Sequence, residues 1–446
     1  MLDNRILAPR KILIARIVLD STTSRAHSPG MGHASARSGV EIRVVVFLAL
    51  SALSCAGERR DVVVQNAPGA WGAEPVQATV AWRIGNLNGP NEYAFGAIQH
   101  AALLRGQAIV VQEGSTLQLI MYNTAGKFIR YVGRNGAGPG EFQGLGAISA
   151  LPDGRFAAFD GRSKRISLFA PSGDWISDVA VPFSTGSSWF AADSALRYHF
   201  NHPPKVGVDL GPSRDEWKSI DRNGAPLPPV VASAAFPPTE AFTIITSSGY
   251  DRPFPRELLS TVLRDGSLVS VDNNTYDLEI RPADAGSHAV THAKRAAPSV
   301  RLTDGEHDEW EALARIVEER ALHPRSSNHR QVLPPPRVVH LTIPKVKPAI
   351  RELEGDSEGR IWLRRYVDAA PGTEVGSDAH STRPPRRWIE PIVWDVWTSH
   401  GSFLGTVQLP PGLKFHDAFG NKIVATFTGE SGESYLSLLT IAIPHA

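Results

Sequence analysis

Gly138-Pro139-Gly140-Glu141-Phe142, with Leu145-Gly146-Ala147-Ile148 after it, repeats an earlier stretch of the chain. The first copy is Gly89-Pro90-Asn91-Glu92-Tyr93, with Phe95-Gly96-Ala97-Ile98 after it, roughly 48 residues upstream. Both copies run on into a glycine-led apolar segment, Gly106-Gln107-Ala108-Ile109-Val110-Val111 and Gly154-Arg155-Phe156-Ala157-Ala158-Phe159. A hairpin pattern of the form apolar-x-x-x-Gly-x-apolar follows, at Tyr122/Gly126/Phe128 and Phe169/Gly173/Trp175. Weaker copies occur at Ile220/Gly224/Pro226 and Trp397/Gly401/Phe403. Such a loop joins two β-strands through a residue at positive φ, which glycine adopts without a Cβ clash. The flanks alternate, as in Lys127-Phe128-Ile129-Arg130-Tyr131-Val132, and that suits strands with one buried face.

Repeats of 40–50 residues built from about four short strands specify a β-propeller. Six units are counted, near 95–132, 145–181, 187–231, 256–288, 348–409 and 413–443. The last has three candidate strands. Its fourth is expected from the N-terminal side, where Val80-Ala81-Trp82-Arg83-Ile84-Gly85 aligns with 128–133. Paired with Tyr435–Ile443, that segment would close the ring and remove its free edges. The expected fold is therefore an all-β, six-bladed propeller over 79–446, closed by an N-terminal strand. Insertions are expected near 289–347 and 368–388. In the first, Thr303-Asp304-Gly305-Glu306 reads as a capping box before an amphipathic helix carrying Trp310, Leu313, Ala314, Val317 and Ala321.

The string Val132-Gly133-Arg134-Asn135-Gly136-Ala137-Gly138-Pro139-Gly140-Glu141-Phe142, then Leu151-Pro152-Asp153-Gly154-Arg155-Phe156, Asp160, Ile166 and Phe169, resembles an NHL-type repeat. From about 79 to 446 the chain resembles bacterial six-bladed propeller lipoproteins with NHL-like repeats. That resemblance implies a shape far more than an activity.

A second resemblance sits at the lone cysteine. Val44-Val45-Val46-Phe47-Leu48-Ala49-Leu50-Ser51-Ala52-Leu53-Ser54 leads into Cys55, the single cysteine of 446 residues. The run is too short to span a bilayer, which needs about 20 residues, but it suits the apolar region of a signal peptide. Residues 51–54 resemble a lipobox, with Ala52 where Leu is commonest. Residues 1–54 are thus expected to be a signal segment, with 1–30 an over-extended start ahead of Met31. Cys55 is expected to be the lipidated residue and 55–78 a flexible tether. The competing reading of Cys55 is a buried thiol ending a core helix. Localisation is expected in the bacterial envelope, and Ala56 rather than Asp after the cysteine favours the outer membrane.

Loss of 1–54 takes seven of 46 Lys/Arg and three of 45 Asp/Glu, leaving 39 and 42. So weak a net field argues against nucleic acid as a partner. The expected partners are the membrane, through lipid on Cys55, and an envelope protein, peptide or glycan.

The sequence holds no Gly-x-Ser-x-Gly elbow, His-Glu-x-x-His, P-loop or paired-cysteine metal site. His288/His292 and His323/His329 lie in polar or inserted stretches. In a propeller the blade-to-blade crossovers and the second-to-third strand turns share one face. The candidates for a ligand face there are Glu113, Arg134, Glu141, Asp160, Arg162, Lys164, Asp272 and Asn273. The glycine cluster at 133–144 could present N–H groups to an anion, but a tight crossover demands the same composition. Glu92 and Glu141 recur once per repeat, and each is expected to bond crossover N–H groups. Trp362, Trp394 and Trp397 are expected in inter-blade core. Binding is preferred to catalysis, with no cofactor. The alternative is a metal-dependent, lactonase-like hydrolase or lyase using calcium or zinc, with Glu113, Asp160, Asp272 and Asn273 as ligands.

Overall fold

The structure is a computed structural model, and it describes residues 62–65, 69–86, 88–114, 116–183, 189–201, 213–234, 243–246, 249–251, 254–283, 290–296, 298–322, 337–339, 343–373, 386–429 and 432–443. Cys55, His288, His323 and His329 lie outside them.

The chain folds as an all-β propeller. Up-and-down antiparallel meanders run over 98–132, 145–180, 189–234 and 258–294. An eight-stranded sheet follows in the order Ile350–Gly355, Ile361–Arg365, Ile392–Trp397, Phe403–Leu409, Val76–Ile84, Ser434–Ile441, Lys422–Thr428 and Leu413–Phe419. Its halves are joined by a short parallel pairing, Val76 with Val407 and Gln77 with Gln408. The N-terminal strand runs antiparallel along the C-terminal one, from Ala78 opposite Ile441 to Ile84 opposite Leu436.

Apolar side chains gather between the meanders. Phe142, Phe156 and Phe169 pack with Val110 and Met121 between the first two. Phe159 and Phe200 bridge the next pair, and Trp217 meets Val262 and Leu268 at the one after. Val269 and Leu278 pack with Trp397 and Phe403. Trp362 and Trp394, both at most 1% exposed, pack at a tilt against Phe415, with ring centroids 4.9 and 5.0 Å away. The series closes where Leu436 and Leu438 pack with Leu103 and Tyr122. Each core is thus shared by two neighbours, so no meander is stable alone.

The hairpin glycines do what the repeat requires. Gly126, Gly173 and Gly224 sit at φ 75°, 85° and 86°, and the side chains of Asn123 and Asp221 accept N–H bonds inside the Gly126 and Gly224 loops.

Three findings differ from the sequence reading. Val62–Gln65, expected in the tether, pairs in parallel with Thr291–Lys294 and adds a fifth strand to that sheet. Trp71, also expected in the tether, is buried, with its N–H donating to Leu404 O at 2.6 Å. Thr291–Lys294 itself, expected in an insertion, is the fourth strand of the 258–294 meander. Four-residue strands carry too few positions to show alternation.

Helix α1 (Asp304–Leu322) begins with the expected capping box. Thr303 N–H donates to Glu306 Oε2 at 3.0 Å, and Glu306 N–H donates to Thr303 Oγ1 at 3.2 Å. Trp310, Leu313 and Ala314 are buried with Phe254 and Ile343. Beneath the first turn the wholly buried Lys347 ammonium meets Glu306 and Glu390, at 2.6 Å each.

Candidate functional site

The first strands of the meanders surround a central cavity of about 160 Å³, lined by residues 99–102, 147–150, 189–191, 217, 261, 262, 264, 354–356 and 414–417. A propeller's first strands lie at its axis, so alternate side chains of each strand face the hole while the others enter an inter-blade core. Leu413–Phe419 shows this: Leu413 and Phe415 are buried, whereas Lys414 is exposed and His416 half-buried.

Polar side chains from distant parts of the chain meet there. His100 comes from Ile98–Leu104, Glu354 from Ile350–Gly355, and Lys414, His416 and Asp417 from Leu413–Phe419. Trp189 adds an indole that is 50% exposed. The side chains of His100, Glu354 and Lys414 form no hydrogen bond or close ion pair with another described residue. His416 Nε2 lies 2.9 Å from Thr426 Oγ1.

The deeper wall is held firmly. Asp417 accepts N–H bonds from Leu103 at 2.7 Å and Ser357 at 2.8 Å, together with the Ser357 hydroxyl. Arg264 donates to Ser149 Oγ at 2.5 Å and Ala192 O at 3.2 Å. Asp356 accepts from Arg360 Nε at 2.6 Å and Trp362 Nε1 at 2.7 Å.

This setting moves the ionisations. Burial, then repulsion from Lys414, lowers His100 to about 4. Burial, Lys414 and His100 lower His416 to about 3. Both imidazoles keep some access to cavity water, yet they sit deep enough in the protein to be neutral at pH 7. Glu354 is pushed up to about 8 by burial and by repulsion from Glu352, against the pull of Lys414. Asp417 is raised to about 6 by burial, opposed by Arg264 and its N–H donors.

These values fix a pH dependence. A carboxyl raised in the folded state favours folding below its unfolded value, and that advantage is lost as pH rises toward the folded value. Glu354 therefore withdraws stability from pH 4.5 to about 8. Between pH 6.5 and 8 it acts without the two histidines or Asp417, whose transitions lie lower. At about 1.4 kcal/mol per unit, the wild type should lose about 2 kcal/mol across that window. Glu354→Gln should flatten the curve. Denaturant melts at the two pH values check it, and an equal drop in the variant would remove Glu354 as the source.

The residues singled out from sequence lie elsewhere. None of the eight lines the cavity. Three share one structural position, the end of a second strand, and reach back to the start of the first. Glu113 Oε1 accepts from Ala97 N–H at 3.3 Å, Asp160 Oδ2 from Gln143 N–H at 2.6 Å, and Asn273 Oδ1 from Glu257 N–H at 2.8 Å. Burial would raise Asp160, but N–H donors from Ser163, Gln143 and Gly144, with the Ser163 hydroxyl, hold it below the usual carboxylate range. Asp272 is clamped by Arg256, at 3.2 and 2.5 Å. Glu141 accepts from Gly138 N–H at 2.8 Å and pairs with Arg134 at 2.6 Å. Those contacts lower its carboxyl, the Gly138 N–H most. In the same crossover, the N–H groups of Gly136 and Phe142 bond to Phe142 O and Arg134 O. Arg162 and Lys164 are exposed on the adjoining turn. The set is thus spread over three meanders and a crossover.

Two other arrangements invite chemistry. His199 lies 2.8 Å from Ser219 Oγ and 3.2 Å from Asp193 Oδ2, an Asp–His–Ser chain. All three are at most 3% exposed and none lines the cavity, so a substrate cannot reach the hydroxyl. Among the described residues, His307, Asp308 and Glu311 place ligand atoms within 4.8 Å of one another, on the exposed face of α1.

No family profile matches the chain, and no curated protein sequence does. Solved structures similar in fold include a Bacteroides fragilis protein assigned to export, at 10% identity, covering 86% of this chain and 100% of that one, with a TM-score of 0.41. A DUF4221-family member from Bacteroides vulgatus aligns at 8% identity over 83% and 99%, also at 0.41. Virginiamycin B lyase from Staphylococcus aureus aligns at 12% over 82% and 95%, at 0.34.

Proposed function

We propose that the chain is an exported, lipid-anchored binding protein of the bacterial envelope, with a small ligand held in the propeller's central cavity. The eight-stranded sheet is read as two blades joined by the Val76 and Gln77 pairing, which with the four meanders makes six. The NHL-like kinship rests on the repeat at 132–169, and export and the anchor rest on the run ending at Cys55. A protein or glycan of the envelope is the wider partner class.

One observation carries the binding reading. Separate blades converge on the cavity with His100, Glu354 and Lys414, whose side chains form no hydrogen bond or close ion pair with another described residue. Folding leaves few such groups unpaired unless water or a ligand takes them up. The lactonase-like alternative draws its ligands from Glu113, Asp160, Asp272 and Asn273, which instead brace turns or pair with Arg256.

A photo-reactive residue in place of Gln99, on the cavity wall, should capture a small molecule from envelope extract. The same residue in place of Ile129, 47% exposed on an outer strand, should not. Intact-mass measurement reads the adduct, and no adduct at Gln99 would reject the cavity as a binding site.

A further inference from the structure

We propose that the cavity takes a hydroxylated carboxylate of the sugar-acid class, its carboxylate paired with Lys414 and its hydroxyls bonded to His100 and Glu354. The inference rests on the cavity-binding reading and names the ligand chemistry.

Size comes first. A cavity of about 160 Å³ has room for a ligand the size of one small ring.

Charge comes next. Lys414 is exposed into the cavity from Leu413–Phe419 and has no ion-pair partner among the described residues. The other cation on the wall, Arg264, donates to Ser149 and Ala192 O, and Asp417 and Asp356 lie within its field. A single uncommitted ammonium, a compact point charge, matches a monoanion. A phosphate dianion draws on several donors at once.

The neighbours of Lys414 supply the rest. His100 and His416 are held neutral and Glu354 is raised to about 8, while Asp417 on the same wall is tied to Leu103 and Ser357, so no close ion pair takes up Lys414. A neutral imidazole offers one donor and one acceptor, and a protonated carboxyl does the same, a mixture suited to hydroxyls. Trp189, 50% exposed on the same wall, presents apolar surface to the C–H side of a ring.

Titration calorimetry on the full-length protein in detergent, with galacturonate, galactose and inorganic phosphate as probes, tests this. Galacturonate should bind and galactose should bind at least tenfold more weakly. Lys414→Met should weaken galacturonate by roughly tenfold or more, as loss of a charged hydrogen bond does, while its melting temperature stays near wild type. His100→Gln should weaken both sugars and leave their ratio unchanged. Equal binding of galactose, tighter binding of phosphate, or an unaffected Lys414→Met would each overturn the assignment. Absence of sugar-acid binding while the Gln99 probe still captures a small molecule would sink this inference and leave the cavity reading standing. Absence of both would remove both.

Discussion

Lys347→Met should cost about 3–5 kcal/mol of unfolding free energy, the cost of leaving a buried charge without its partner. The Lys347 side chain is wholly buried, and Glu306 and Glu390 are 6% and 8% exposed. Its ammonium lies 2.6 Å from a carboxylate oxygen of each and donates to Val367 O at 3.0 Å. Methionine keeps most of the volume but removes the only charge between two carboxylates. Arg351, at 3.2 Å from Glu390, compensates one of them in part. Glu306 also closes the capping box, so it cannot swing to water without freeing Thr303 N–H. Helix α1 should loosen before the propeller does, and amide exchange over 304–322 should rise more than over the sheets. Combining Lys347→Met with Glu306→Gln and Glu390→Gln should recover much of the loss, because the uncompensated charges go with it. Denaturant melts of the single and triple variants check this, and a single-variant loss below 1 kcal/mol would show that water already solvates the cluster.

What the sequence showed and what it hid follow from how local each signal is. The glycines at 126, 173, 224 and 401 mark hairpins because positive φ is a one-residue requirement, and each adopts it. The capping box spans four residues, and Trp362, Trp394 and Trp397 declare themselves by size and alternation. The cavity has no such signature. His100, Glu354 and Lys414 come from three strands far apart in the chain, and their convergence exists only once the ring is closed. Leu413–Phe419 alternates like any strand with one wet face, and nothing in that alternation separates bulk water from an enclosed cavity. Glu113, Asp160 and Asn273 stood out because they recur at equivalent turns, and equivalence across blades is also the mark of a structural brace. A lone lysine or histidine on one first strand is the better pointer to a site, since it breaks the repeat.

Replacing Val76–Ile84 by a glycine–serine run of equal length should abolish cooperative folding. The segment bonds to Ser434–Ile441 along its length and to Phe403–Leu409 through Val76 and Gln77. Its side chains serve two cores: Val76, Ala78 and Val80 join the cluster around Trp362 and Trp394, whereas Trp82 and Ile84 join the one around Tyr122 and Leu436. Trp82 also donates from Nε1 to Thr124 O at 2.8 Å, in the hairpin loop of the 98–132 meander. Trp82 is partly buried, so its truncation costs less than the ~3–5 kcal/mol of a fully buried tryptophan. Added to the other apolar contacts and the lost strand pairing, the total is a large share of the ~5–15 kcal/mol that holds a typical domain together. The exposed edge of Ser434–Ile441 would then pair with other chains, so aggregation should accompany the loss. Trp82→Ala, a smaller lesion at the same seam, should melt cooperatively with a loss of about 2 kcal/mol. A peptide spanning 74–86, added to the replaced protein, should restore a cooperative transition whose midpoint rises with peptide concentration, because it binds only the folded ring. Calorimetry reads both. A replaced protein that melts like the wild type without peptide would mean that the ring closes through its apolar seams alone, and that the N-terminal strand only decorates an edge.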